Sequence, residues 1–304
     1  MKRFAFVSSL VLPCLLLGCP ADPGGEDTDD GTGSTDDEAG ESTDEGTTEA
    51  GETTDDDGST DTAEDLATIT GVILDMQGAA LPTPGVQLCG PIDDEGNVEA
   101  CIPVSVDDSS GAFSIGAKKT GLWSLKVVHG SVDDRNFAGQ AFQVTLSEGD
   151  ALDFSDPAIV IPEVSATTVL DGLTQVNLDG GLSLSIDPEQ AQTPDFLAPT
   201  ALGGLVVDPQ FWRVDEVEGA AVIQAWAFSP FGTKAKDEGS FDFSVDDSLG
   251  LDAGTALNFY EIEKDNGSLH LVATGVVNAD ASAVDLSAAG EGLHELTWLL
   301  VTED

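Results

Sequence analysis

The groups able to do chemistry in this chain are its carboxylates, three histidines and four cysteines, and their spacing decides what that chemistry could be. Among 304 residues there are 57 Asp and Glu against 10 Lys and Arg, a formal net charge of −47. A serine nucleophile needs a base held beside it. His129, His270 and His294 are isolated, and no G-x-S-x-G marks a serine for any of them. His294-Glu295 opens like the zinc motif H-E-x-x-H but continues Leu296-Thr297-Trp298, so the second histidine is missing. No phosphate-loop lysine occurs. Carboxylates are so abundant that a paired acid and base could be drawn from almost any fold, so abundance names no pair. The expectation is a non-catalytic chain with no cofactor and no metal site. A surface this acidic also repels nucleic acid.

One aromatic group could bind a ligand. Phe211, Trp212, Trp226 and Phe228, with Phe231, cluster around Pro209 and Pro230. Exposed planar rings stack on sugars, whereas the same rings turned inward fill a core. The sequence leaves both uses open. Phe211 and Trp212 follow a turn and are the pair expected at the surface.

The cysteines divide by position. Residues 1–18 begin with Lys2 and Arg3, run apolar from Phe4 to Leu17 and end in Gly18, the layout of a secretory signal too short to span a bilayer permanently. Leu16-Leu17-Gly18-Cys19 resembles the lipobox of bacterial lipoproteins. The resemblance implies cleavage before Cys19, lipidation of its sulfur and a membrane-anchored product. Pro20, rather than Asp, points to the outer membrane or cell surface. Cys14 leaves with the signal, so Cys89 and Cys101 remain and are expected to pair in an exported protein. No later stretch approaches about 18 consecutive apolar residues.

From 19 to 65 the chain is a linker. Asp22 to Asp65 holds 19 acidic residues, and the segment after Cys19 has no Val, Ile, Leu, Met, aromatic, Lys or Arg. Such a composition has no apolar area to set against ordering entropy and is expected to stay disordered. A neutral flexible chain of this length spans about 40 Å, and like charges extend it. The segment reads as a stalk.

At Leu66 the composition changes to short alternating runs broken by turns, with no helical period. These argue for antiparallel β-sandwiches. In 66–162 the runs include Ala67–Asp75, Val86–Leu88, Ala112–Ile115, Trp123–Val128 and Phe142–Leu146. Ile69-Thr70-Gly71-Val72-Ile73 with Asp75, Gly78 and Gly85-Val86 resembles the opening of carboxypeptidase regulatory-like (transthyretin-like) domains. Asp107 through Gly111-Ala112-Phe113-Ser114-Ile115, then Gly121–Val127 and the run to Ile161-Pro162, resemble their later strands. The resemblance covers about a third of the chain and implies a non-catalytic accessory module with no active-site residues. The departure is the insertion Cys89–Cys101, in which a hairpin would bring the two sulfurs together across 11 residues. Asp93, Asp94, Glu95, Asn97 and Glu99 within it do not follow calcium-loop spacing and read as a solvated hairpin tip.

The second unit, 163–304, repeats the style. Leu182–Ile186, Val222–Phe228, Phe241–Val245 and Leu257–Ile262 alternate, and Asn266-Gly267 before Leu269 is a strong hairpin signal. The expectation is therefore an all-β chain of two antiparallel Ig-like/transthyretin-like β-sandwich domains after a disordered acidic linker. It would be lipid-anchored in the cell envelope and act through contacts with a protein or glycan partner, in an adhesive, scaffolding or matrix role. A carbohydrate-binding module using the aromatic cluster is the alternative, and a secreted hydrolase with carboxylate chemistry the remote one.

Overall fold

The computed structural model describes residues 65–129, 135–287, 290 and 292–304. The expected leader, the expected lipidation site Cys19 and the acidic segment up to residue 64 lie outside the described residues. Within them the regular elements are all strands apart from three single-turn 3-10 segments, with no α-helix. Among the described residues no helix is long and apolar enough to cross a membrane.

Two sheets build the first half. β1 (Ala67–Asp75) alternates buried and half-buried residues along its length. That period-2 pattern puts Ile69 and Ile73 on the core face. β2 (Gly85–Ile92) and β3 (Val98–Val104) form a hairpin, and β4 (Ala112–Ala117) returns to pair antiparallel with β1. β5 (Gly121–Val128) pairs with β2, and after the short β6 (Asn136–Phe137), β7 (Gln140–Leu146) pairs with β5. β8 (Ala151–Ile161) closes the three-stranded sheet β4-β1-β8 opposite the four-stranded sheet β3-β2-β5-β7. The core between them holds Ile69, Ile73, Leu88, Leu125, Phe142 and Ile159. One pair departs from the antiparallel expectation: β1 and β8 run parallel, with a register break between Gly71 and Ile73. They stand at opposite ends of the half in sequence, so the whole intervening chain serves as the long crossover a parallel pair requires.

β9 (Glu163–Val164) pairs with β6, and the second half follows. It runs through β10 (Thr167–Val169), β11 (Thr174–Asn177), β12 (Leu182–Ile186), β13 (Ala191–Gln192), β14 (Ala201–Val206), β15 (Glu216–Val217) and β16 (Ala220–Ser229). β17 (Thr233–Ala235), β18 (Asp242–Val245), β19 (Ala256–Ile262), β20 (Leu269–Val277), β21 (Val284–Ser287), β22 (Glu295–Leu296) and β23 (Trp298–Glu303) complete it. Ten of these strands join in the order β10-β14-β16-β23-β19-β20-β21-β18-β12-β11. The two end strands, β10 and β11, are neighbours in sequence, so the sheet folds over on itself. A single core, with Leu184 and Val245 from one end and Trp226, Phe228, Phe259 and Leu299 from the other, fills the inside.

The two halves share a third apolar cluster. Ala138 and Ala141 of the first pack with Val164, Phe231, Tyr260, Ile262, Trp298 and Leu300 of the second. Trp298 Nε1–H donates across this seam to the carbonyl of Gly139 at 2.7 Å. The folded halves therefore form one packed body, not two beads on a string.

Candidate functional site

Titratable groups converge where β17, β19, β20 and β22 meet the turn Glu263–Ser268. A cavity of about 340 Å³ there is lined by Lys234, Glu238, Glu261, Glu263, His270, His294 and Glu295 among others. Glu261 and Glu295 are buried. Glu261 lies on β19 opposite His270, and its Oε2 accepts the backbone N–H groups of His294 at 2.8 Å and Glu295 at 3.1 Å. Glu295 Oε2 accepts the backbone N–H of Lys264 at 2.9 Å. Its Oε1 has no hydrogen-bond donor, and the nearest ammonium groups, Lys234 and Lys264, stand at 3.6 and 3.9 Å. Burial pushes both carboxyls above the ordinary glutamate range.

Beside them, three of the chain's ten basic residues surround one carboxylate. Lys126 of β5, Lys234 of β17 and Lys264 lie 3.4, 3.7 and 3.8 Å from Asp265 oxygens. Partial burial acts to raise the Asp265 pKa, but Lys264, Lys126 and Lys234 outweigh it and hold the group below the usual range. Burial acts against charge on Lys234, yet Glu295, Asp265 and Glu263 hold its ammonium above the ordinary value.

Ser268, His270 and Glu263 have the residue types of a hydrolytic triad but not its wiring. Ser268 Oγ lies 2.8 Å from His270 Nε2, and Glu263 Oε2 lies 3.2 Å from the same nitrogen. A relay needs the hydroxyl on one ring nitrogen and the acid on the other. Glu263 Oε2 also accepts from Asn266 Nδ2 at 2.8 Å and from Ser268 Oγ at 3.2 Å. The cluster ties turns and backbone N–H groups together. Among the described residues no group of three His, Cys, Asp or Glu side chains could hold a metal ion.

Cys89 and Cys101 are joined, directly opposite each other in the β2–β3 register. Asp93, at the tip of that hairpin, is engaged by its own turn: Oδ1 accepts the N–H groups of Glu95 at 3.1 Å and Asn97 at 2.8 Å.

The aromatic platform needs correction. Trp226 and Phe228 are completely buried, because β16 lies inside the sheet, hydrogen-bonded to β14 on one side and β23 on the other. Trp226 and Phe228 enter the main core and Ala225 and Ala227 face the seam, while a register shift between Val222 and Gln224 turns Val222 to the seam and Ile223 to the main core. Trp226 Nε1–H donates to the Asp179 carbonyl at 2.8 Å. Phe231 is buried as well. Phe211 and Trp212 are half-buried against the seam, and Trp212 Nε1–H donates to the Val207 carbonyl at 3.0 Å. The four rings therefore make no continuous surface. Among the described residues, the ring that does stand in solvent is that of Phe196, a residue 83% exposed. Sequence reasoning passed over it because Thr193-Pro194-Asp195-Phe196-Leu197 has no alternation to give a ring a face.

No family model matches the chain, and no curated protein matches it. Among solved structures, the Bacillus anthracis TIE protein aligns with 79% of this chain and 44% of its own, at 9% identity and a TM-score of 0.24. The chain thus spans less than half of that protein, and a superposition this loose carries no weight for fold or function.

Proposed function

We propose that this protein is a lipid-anchored component of a bacterial cell envelope that acts through surface contacts, not catalysis. Support for the anchor comes from Leu16-Leu17-Gly18-Cys19 behind a basic, then apolar, leader. Acyl chains on one sulfur make a stable tether, since each buried methylene contributes about 0.8 kcal/mol. The acidic segment behind it has no apolar residues with which to build a core and suits a spacer.

One observation carries the non-catalytic reading: His270 Nε2 serves both Ser268 and Glu263, so the best-placed histidine has no separate acid to orient it. Glu261 and Glu295 are likewise engaged by backbone N–H groups. A body of two sandwiches fused along an apolar seam is a rigid presenter of surface. Metabolic labelling with an alkyne fatty acid tests the anchor: label is expected on the wild-type protein and lost in Cys19→Ser. An intact leader or an unmodified sulfur in the mature protein would overturn it. Turnover of ester or glycoside substrates that disappears in His270→Ala would overturn the contact reading.

A further inference from the structure

A second cavity, about 500 Å³, opens between the turn Thr193–Thr200 and the segment Ser229–Phe231, with Val128 and His129 of the first half on its wall. Pro199 and Phe231 give it an apolar floor, and both are buried. Thr193, Thr200 and Ser229 add hydroxyls to the lining, and Asp195 a carboxylate. Asp195 makes no hydrogen bond or ion pair among the described residues.

The turn beside this cleft is built against its own residue. Phe196 N–H donates to the Thr193 carbonyl at 2.9 Å and Thr193 N–H to the Leu197 carbonyl at 2.8 Å. These bonds hold Phe196 at φ 62°, a left-handed backbone unfavourable for a bulky L-residue. Phe196 is 83% exposed and the next residue, Leu197, 66% exposed, so neither gains much from burial. Asn or Gly would suit this turn on both counts. Backbone strain and an uncovered ring at one position, on a turn whose flanking residues Asp195 and Leu197 line the cleft, mark a group kept for something outside the fold.

We propose that Phe196 and the adjoining cleft form a saccharide-binding site for a short stretch of neutral glycan. The inference rests on the contact reading above and names what is contacted. The ring face would stack on sugar C–H groups, as exposed aromatics do. Asp195 and the three hydroxyls would hydrogen-bond sugar hydroxyls within the cleft. A purely apolar partner would desolvate Asp195 without giving it a donor. A net charge of −47 disfavours anionic glycans.

The test is ligand-observed NMR on the full chain with cellotriose, mannotriose, galactotriose and N-acetylchitotriose, with trigalacturonate as anionic control. At least one neutral trisaccharide is expected to bind. Phe196→Ala and Asp195→Asn are expected to weaken it tenfold or more, and Leu173→Ala, at another exposed apolar position, to leave it unchanged. Phe196→Asn should lose binding while keeping or raising the melting temperature, which separates loss of ligand from loss of fold. Binding of none of the neutral sugars, preference for trigalacturonate, or affinity unchanged in Phe196→Ala overturns the site and leaves the contact reading standing. Cleavage of a bound sugar overturns both.

Discussion

Asn266 and Gly96 stand 170 positions apart in sequence, and the Asn266 side-chain amide donates to the Gly96 carbonyl at 3.0 Å. The bond joins the turn of the β19–β20 hairpin to the tip of the disulfide hairpin, so it crosses between the two halves. Asn266 uses its other groups as well. Its Oδ1 accepts Ser268 N–H at 2.8 Å, and its backbone carbonyl accepts from Gln143 Nε2 at 3.3 Å. The next residue, Gly267, sits at φ +69° so close to Phe142 that a Cβ would meet its backbone at 3.0 Å. A turn of the second half is thus seated on the outer face of the first.

Asn266→Ala should therefore act on both halves at once. It removes a buried donor and leaves Gly96 O and Glu263 Oε2 short of a partner, a loss of about 1–3 kcal/mol. In a domain of this size that lowers the melting temperature by about 2–4 °C per kcal/mol. Calorimetry of the full chain should show a single shifted transition. An unchanged melting temperature would mean the Asn266 bonds are replaced by water at no loss.

The Cys89–Cys101 bridge closes a loop with a sequence separation of 12. In the chain-entropy treatment a loop of that size stabilises by about 3 kcal/mol. The double variant Cys89→Ala, Cys101→Ala should lower the urea midpoint, and reductant should lower the wild-type midpoint towards it. A wild-type midpoint indifferent to reductant would show that the bridge contributes nothing to the folded body.

Strand identity was legible because alternation is local. Ala67–Asp75 and Asn266-Gly267 carry their own period and turn chemistry, and both appear as strand and hairpin turn. The disulfide was legible because the chain offers its two candidate sulfurs on adjacent strands. What stayed hidden depends on neighbours far away in sequence. Alternation along Val222–Phe228 gives two faces but not that the strand is flanked on both sides, which is what buries Trp226 and Phe228. The Asp265 cage is equally nonlocal, because Lys126 reaches it from a strand 139 positions upstream. The parallel pairing of β1 with β8 and the seam around Trp298 have no local signature either.

The two buried glutamates make a prediction with a definite sign. Burial raises the Glu261 carboxyl above its ordinary value of 4.5, against the lowering effect of the Glu295 and His294 N–H groups and of the His294 and His270 imidazoles. A carboxyl raised in the folded state binds its proton more tightly there than in the unfolded chain. Its stabilising effect is therefore full below the ordinary pKa and is lost as pH rises through the raised one. Glu261→Gln keeps an oxygen to accept the two N–H groups and removes the charge. The melting temperature of the variant relative to wild type should climb as pH rises above the ordinary glutamate value of 4.5. Asp265 has the opposite sign. Its lowered pKa contributes stability above the ordinary 3.8 that disappears as pH falls, so the deficit of Asp265→Asn should shrink in acid. Parallel pH profiles for wild type and Glu261→Gln would refute the assignment.

Trp298 tests whether the halves fold as one. It is 2% exposed, stands in the shared cluster and donates to Gly139 across the seam. Trp298→Phe keeps most of the apolar volume but leaves the Gly139 carbonyl buried without its donor, at about 1–3 kcal/mol. The destabilisation should reach both halves, since Ala138 and Ala141 lose packing on one side and Tyr260 and Ile262 on the other. Hydrogen exchange read by mass spectrometry should show reduced protection in β5 and β7 together with β19 and β23. Loss confined to β19 and β23 would mean that the first sandwich holds its structure independently of the seam, and that the shared cluster is a contact between two separately stable units.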